Sequence, residues 1–300
     1  MAHRFGRPQS LARTIALASI LLAVVAGCDG SQEAKASRQA IAKEHLPRVR
    51  QIVQEDRQRI GEGLGIAAER LAPGFVVEPP EARERSLRAA MRQVQDPAAP
   101  PSVSIPQLAI SPVSFLAAIG PDGRVIARDT PRDRDRMRGE DFGKRFEVVA
   151  RALRGEAGEQ LGVFEAKDAK GRASTSHSWL FAAPVRREGR VVGALLAGVP
   201  LWREAQRLSR QLRLEHAQDV SKGLVLWVYL FVGDRLYHFG TPPELDEVVP
   251  DAGARAEGLR RSPEGFDGSL RVYHRVYGYG VYPLPQLAEG VGVVLLRAEP

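Results

Sequence analysis

Apolar residues at Ile41, Leu46, Val49, Ile52, Val53, Ile60, Leu64, Ala67 and Leu71 recur mostly at gaps of three and four. That spacing places them on one stripe of an amphipathic helix, with Arg, Lys, Glu and Gln opposite. Pro47 and the glycines of GEGLG, residues 61–65, mark where this helix can kink or divide. A second helical stretch, EARERSLRAAMRQV, follows. The prolines of QDPAAPPSVSIPQLAISP then favour extended backbone and exclude a helix.

From residue 115 the period changes. SFLAAIGPDGRVIARD reads as strand, turn at GPDG and strand, the pattern of a hairpin. FEVVARAL is helical, and QLGVFEA, TSHSWLFAAPVR and RVVGALLAGVPL are strands, the last two joined by a turn at REG. A helix followed by about five antiparallel strands makes an α+β module. WREAQRLSRQLRLEHAQDVS is again helical, and GLVLWVYLFVGDRLYHFG gives strand, turn, strand. FAAPVRREGRVVGALLAGVP and YPLPQLAEGVGVVLLRAEP both carry an aromatic, a proline, a Glu-Gly turn and a glycine-studded apolar strand. The hairpin FLAAIGPDGRVIA answers WVYLFVGDRLYHF in the same way, so the chain contains a weak internal repeat. The expected fold class is α+β, a long N-terminal helix followed by two tandem antiparallel-sheet modules. The expected boundaries are a helical region with a Pro-rich linker at 38–110, a first module at 111–200, a connecting helix at 201–222 and a second, degenerate module at 223–300.

The N-terminus has a different character. Arg4, Arg7 and Arg13, with no acid, precede the apolar run TIALASILLAVVA, and Gly27 precedes Cys28, the one cysteine among 300 residues. A basic start and a short hydrophobic core fit a secretory signal peptide over 1–27, because a membrane span needs roughly 17–25 apolar residues. A single thiol can form no internal disulfide and offers too few ligands for a structural metal site. The stretch VAGC resembles the lipobox of bacterial lipoproteins, which implies cleavage before Cys28, acylation (palmitate among the chains) of its sulfur, and a tether over 28–37. The competing reading is a short buried helix with a small apolar cysteine. Each buried methylene of an acyl chain contributes about 0.8 kcal/mol, and two chains suffice for stable anchoring. The expected localisation is therefore a membrane, with the folded region in the periplasm. Asp29 marks inner-membrane retention in the enteric lipoproteins this segment resembles, but high Ala, Arg, Gly and Pro usage points to a GC-rich genome where that rule need not transfer. The choice of membrane stays open. Cleavage lowers the formal charge from +7 to +4, and export separates the protein from nucleic acid, so no nucleic-acid partner is expected.

The long helix, FLAAIGPDGRVIARD, the Gly-x-Asp-Phe segment at 139–142 and WLFAAPVRREGRVVGALLAGV together resemble the extracytoplasmic Cache family, PAS-like sensory domains of chemoreceptors and sensor kinases. The resemblance covers roughly 35–300, is closest to the double form, and is weaker in the second half. It implies a small-molecule ligand such as an amino acid or carboxylate in the first module. Family members pass a conformational change through the membrane, whereas here no second apolar span or transmitter follows. A membrane signalling protein is therefore the expected partner.

Alternation in TSHSWLFAAPV puts His177, Trp179 and Phe181 on one strand face and Ser176, Ser178 and Leu180 on the other. Trp179 is the candidate apolar wall of a pocket, with His177, Asp129 and Arg145 as polar candidates. Against this stands the plainer reading that Trp179 fills the core, His177 sits at the sheet edge and the charged residues are solvated. Tyr273, Tyr277 and Tyr279 are candidates for a protein interface, though alternating tyrosines are also ordinary sheet residues. The six histidines are scattered, and no His-Glu-x-x-His helix, Gly-x-Ser-x-Gly turn or phosphate loop is present. Neither an enzyme nor a bound cofactor or metal is expected. A membrane-anchored, small-molecule-binding sensor acting through a partner is the leading reading, with an accessory lipoprotein that binds only protein as the alternative and a secreted hydrolase behind both.

The leader yields a direct test. Mass spectrometry of the membrane fraction should find a lipid-modified N-terminus at Cys28, and Cys28→Ser should abolish both lipid and cleavage while leaving the folded region intact. A soluble product retaining Met1 would refute the lipoprotein reading.

Overall fold

The apolar stripe folds as one helix, α1, over residues 32–71, in a computed structural model that describes residues 32–167, 173–242, 245–246, 249–272 and 274–300. Cys28 and Tyr273 lie outside the described residues. Pro47 does not break α1. It follows a widened π turn, Ile41–His45, in which Leu46 N–H donates to the Ile41 carbonyl, and such a turn absorbs the hydrogen bond that proline removes from a helix. The glycines at 61–65 do not divide the helix either. Gly63 instead permits close approach, because a Cβ there would lie 2.8 Å from Gln107 Cβ.

After a 3-10 turn at Ala72–Val76, α2 (Pro80–Gln95) packs Leu87, Met91 and Val94 inward. The Pro-rich segment holds one helical turn, α3 (Pro106–Ala109), contrary to the expectation of none. Its proline stands in the first turn, where a missing N–H costs nothing.

The first sheet comprises β1 (Phe115–Ile119), β2 (Val125–Arg128), β3 (Gly158–Lys167), β4 (Ala173–Arg187) and β5 (Arg190–Pro200), in spatial order β2-β1-β5-β4-β3. Two short helices, α4 (Phe142–Arg145) and α5 (Glu147–Leu153), lie between β2 and β3. After α6 (Leu201–Glu215) and α7 (Ala217–Ser221), the second sheet forms from β6 (Val225–Val232), β7 (Arg235–Tyr237), β8 (Phe266–Val272), β9 (Arg275–Pro283) and β10 (Val291–Ala298). Its order, β7-β6-β10-β9-β8, repeats that of the first sheet strand for strand. Every pairing in both sheets is antiparallel. α8 (Ala252–Arg261) occupies the place in the second half that α5 holds in the first. It was not legible in the sequence because its two glycines lower helix propensity. It is fixed by the Asp251 side chain, which accepts from Ala254 N–H at 2.8 Å.

Alternation along the strands sorts residues into three layers. Trp179, Phe181 and Leu195 of the first sheet and Val228, Leu230 and Val293 of the second share one core with α1, α2 and α6. Leu180, Ala182 and Leu196 face α4 and α5 on the opposite side of the first sheet. Tyr229, Phe231, Tyr277 and Leu296 form a third core on the far side of the second sheet.

Between α1 and α6 lies a buried charged cluster. Asp56 is fully buried and accepts from both Arg207, through Nη2 at 2.8 Å and also through Nε, and Arg59 at 3.1 Å. Glu204, one turn before Arg207, is equally buried, and neither of its carboxyl oxygens has a hydrogen-bond partner. Burial first and the neighbouring Asp56 charge second push the Glu204 carboxyl up to about 8, with Arg207 opposing. The folded state thus holds a proton that the unfolded chain releases near the usual carboxylate range. This contribution to stability is complete below about pH 4 and is lost as pH rises to about 8. The melting temperature should therefore fall between about pH 5 and about pH 9 more steeply in the wild type than in Glu204→Gln. Equal slopes in calorimetric scans would show that Glu204 ionises freely in the folded protein.

Candidate functional site

The four residues expected to form a ligand pocket are not brought together. Trp179 is fully buried in the layer shared with α1, its ring 4.6 Å from that of Phe181, and its indole N–H has no partner. Arg145 lies on the opposite face of the sheet. It pairs with Glu140 at 2.9 Å, donates to the Val163 carbonyl at 2.9 Å and covers the rings of Phe146 and Phe164 at 5.2 and 5.3 Å. The phenylalanines 142, 146 and 164 pack edge-on or tilted at 5.0–6.1 Å, closing the space between the first sheet and α4–α5. Asp129 is tied to backbone and scaffold: its carboxylate accepts from Leu116 N–H at 3.0 Å and from Gln95 of α2 at 2.8 Å.

His177 has a structural role between the two sheets. Its Nδ1 lies 2.5 Å from the Tyr237 hydroxyl on β7. Arg235 of the same strand donates to the Thr175 carbonyl at 2.8 Å and to Ser174 Oγ at 3.0 Å. Burial first and the Arg235 charge second lower the His177 pKa, which favours the neutral imidazole in this tie.

Tyr277 and Tyr279 do not form an exposed patch. Tyr277 is buried in the third core, and Tyr279 stands edge-on to Phe266 with its ring over Gly268, where a Cβ would lie 2.3 Å from the hydroxyl. They are sheet residues that fill their own module.

A pocket the sequence reading missed opens where α6 and α7 meet the second sheet. It measures about 470 Å³, and its walls include Trp227, Phe239, Leu214, Arg210 and Arg213. The Arg213 guanidinium sits 4.5 Å from the centre of the Trp227 ring, while Phe239 lies tilted against Trp202 at 5.3 Å. Leu214 and Phe239 are 60% and 54% exposed, large values for apolar side chains that would otherwise pack. Arg207 on the same helix is committed to Asp56. Among the described residues no carboxylate pairs with Arg210 or Arg213. The pocket therefore offers aromatic walls and two available cations, which suits an anionic group attached to an apolar body. A faint signal was present: in RLSRQLRLE, Arg210, Arg213 and Leu214 fall at helical spacing on a face distinct from the buried Ala205, Leu208 and Leu212.

No family model matches the chain, and no curated protein matches it in sequence. Solved structures do match in fold. The extracellular domain of a protein described as the histidine kinase vpHK1S-Z8 superposes with a TM-score of 0.53 at 12% identity, over 91% of this chain and 93% of that one. A domain of a protein from Vibrio parahaemolyticus, described as of the sensory box/GGDEF family, gives 0.51 at 13% identity, over 89% and 97%. The likeness is one of fold, and in this chain that fold is a long N-terminal helix followed by two antiparallel five-stranded sheets.

The placement of Trp179 has a measurable consequence. Trp179→Ala should cost about 3–5 kcal/mol in chemical denaturation, the loss expected for a large side chain removed from a packed core. A loss under about 1 kcal/mol would show that the indole lines an open cavity instead.

Proposed function

We propose that this chain is an extracytoplasmic sensor-like protein, held on the membrane through acylated Cys28, that binds a small organic anion and acts through a partner protein. The observation that best supports the reading is the pocket beside α6, where Arg210 and Arg213 stand without carboxylate partners next to Trp227 and Phe239. An anion seated there exchanges water for charge-assisted hydrogen bonds, and its apolar body covers exposed aromatic surface. α6 joins the two sheets, so a ligand that alters its last turns bears on both. Resemblance to Cache-like sensors accords with recognition of carboxylates, although the site proposed here lies in the second module, because phenylalanines close the corresponding face of the first.

A second reading has its own observation. Ile110, 61% exposed, borders a neighbouring groove that shares Arg210 and Leu214 with this pocket. Apolar residues ringed by arginines also suit a protein partner, as in the accessory-lipoprotein alternative.

Calorimetric titration of the lipidated protein in detergent against aliphatic and aromatic carboxylates, amino acids, amines and purines distinguishes the two. Carboxylates should bind, and Arg210→Ala combined with Arg213→Ala should weaken them at least tenfold with the melting temperature unchanged. Binding insensitive to both substitutions would move the site elsewhere. Failure of every compound, together with a stoichiometric protein recovered from membranes and lost in Leu214→Glu, would establish the protein-binding alternative.

A further inference from the structure

We propose that Glu44, His45 and His216 form a binding site for a divalent transition metal of the zinc class. Glu44 and His45 end the π turn of α1, and His216 caps the C-terminus of α6. One donor atom from each lies within 4.8 Å of the other two. A tetrahedral edge with bonds of about 2.0–2.1 Å measures about 3.3 Å, so modest side-chain rotation closes the triad. Glu44 is exposed and His216 partly so, which leaves both free to rotate. Two imidazoles and one carboxylate suit zinc, copper or nickel, and three protein ligands leave a position for water.

The surroundings prepare the site. His45 is 1% exposed, and its ring meets that of His216 edge-on at 4.9 Å. Arg297, which can only donate, lies 2.8 Å from His45 Nε2, so that nitrogen carries a lone pair and the imidazole is neutral. A metal on this nitrogen must displace the Arg297 N–H, whose guanidinium also makes two bonds to Glu299 at 2.9 and 3.2 Å. Glu215, next in the chain to His216, is paired with Arg48 of α1 at 2.7 Å, a second link between the two helices at this point.

The π turn gives the arrangement its geometry. In an unbroken α-helix each residue advances by a fixed angle, whereas a π turn inserts one extra residue and re-aims the side chains that follow. Here it lies just before Pro47 and presents Glu44 and His45 to α6. An ion at this point fastens α1 to the end of the helix that joins the two sheets, independently of the anion pocket.

The test uses the full chain, purified without a polyhistidine tag and stripped with chelator. Titration with zinc should show one equivalent bound and a raised melting temperature, and cobalt should give the intense visible bands of a four-coordinate ion. His216→Ala should lose the equivalent, the bands and the thermal shift. Glu44→Gln, on an exposed position that leaves the core untouched, should keep the apo melting temperature and weaken zinc binding. Absence of stoichiometric binding in the wild type overturns the proposal. So does binding that is unchanged in Glu44→Gln and His216→Ala, or binding lost on substitution of His238 or His274 instead.

Discussion

The structure depends on the burial of one face of α1 against both sheets. Val49, Ile52, Val53, Ile60 and Leu64 are 0–1% exposed, and the same helix begins against the second sheet and ends against the first. At the second sheet the approach is close: a Cβ on Gly278 would lie 2.8 Å from Ser37 Cβ, and one on Gly280 would lie 2.8 Å from Ile41 Cγ2. Glycine at these two strand positions lets helix and sheet meet without an intervening side-chain layer. A sheet of five strands with one bare apolar face is not stable in water, so each module relies on this shared helix to complete its core.

The junction of α1 with α6 carries an unusual amount of buried charge. Asp56 and Arg207 satisfy one another, whereas Glu204 lies in the same layer with no hydrogen-bond partner, its carboxyl pushed up to about 8 by burial. Replacing such a group by an apolar one costs little in general, and buried ionisable residues often fix one arrangement rather than add stability. Here the cluster joins α6 to α1, and α6 is the helix that follows the first sheet and precedes the second. His177 with Tyr237 and Arg235 with Thr175 make a second tie between them.

The repeat of strand order does not extend to the chemistry of the faces. Beside the first sheet, four phenylalanines and the Arg145 guanidinium fill the layer under α4 and α5. Beside the second sheet, the cover comes from Leu245, Val249, Leu259 and Phe266, and the flank at Trp227 stays open. Identical topology therefore supplies two platforms of different accessibility, and the available arginines lie beside the second.

The sequence by itself determined the long amphipathic helix, the hairpins at GPDG and GD, and the pairing of FLAAIGPDGRVIA with WVYLFVGDRLYHF as one motif used twice. These rest on periodicity and turn chemistry, which act between residues close in the chain. It also correctly separated His177, Trp179 and Phe181 from their neighbours, because side-chain alternation is a property of the strand alone. Which face met solvent, helix or ligand was a tertiary matter. Trp179 and Arg145 were joined into one pocket on residue type, yet the sheet stands between them, since only the packing of α1 on one side and α4 on the other assigns a face its partner. Tyr277 and Tyr279 went inward for the same reason. Glu44, His45 and His216 meet only when the ends of α1 and α6 do, and the spacing of a sequence motif carries no record of an encounter between distant elements.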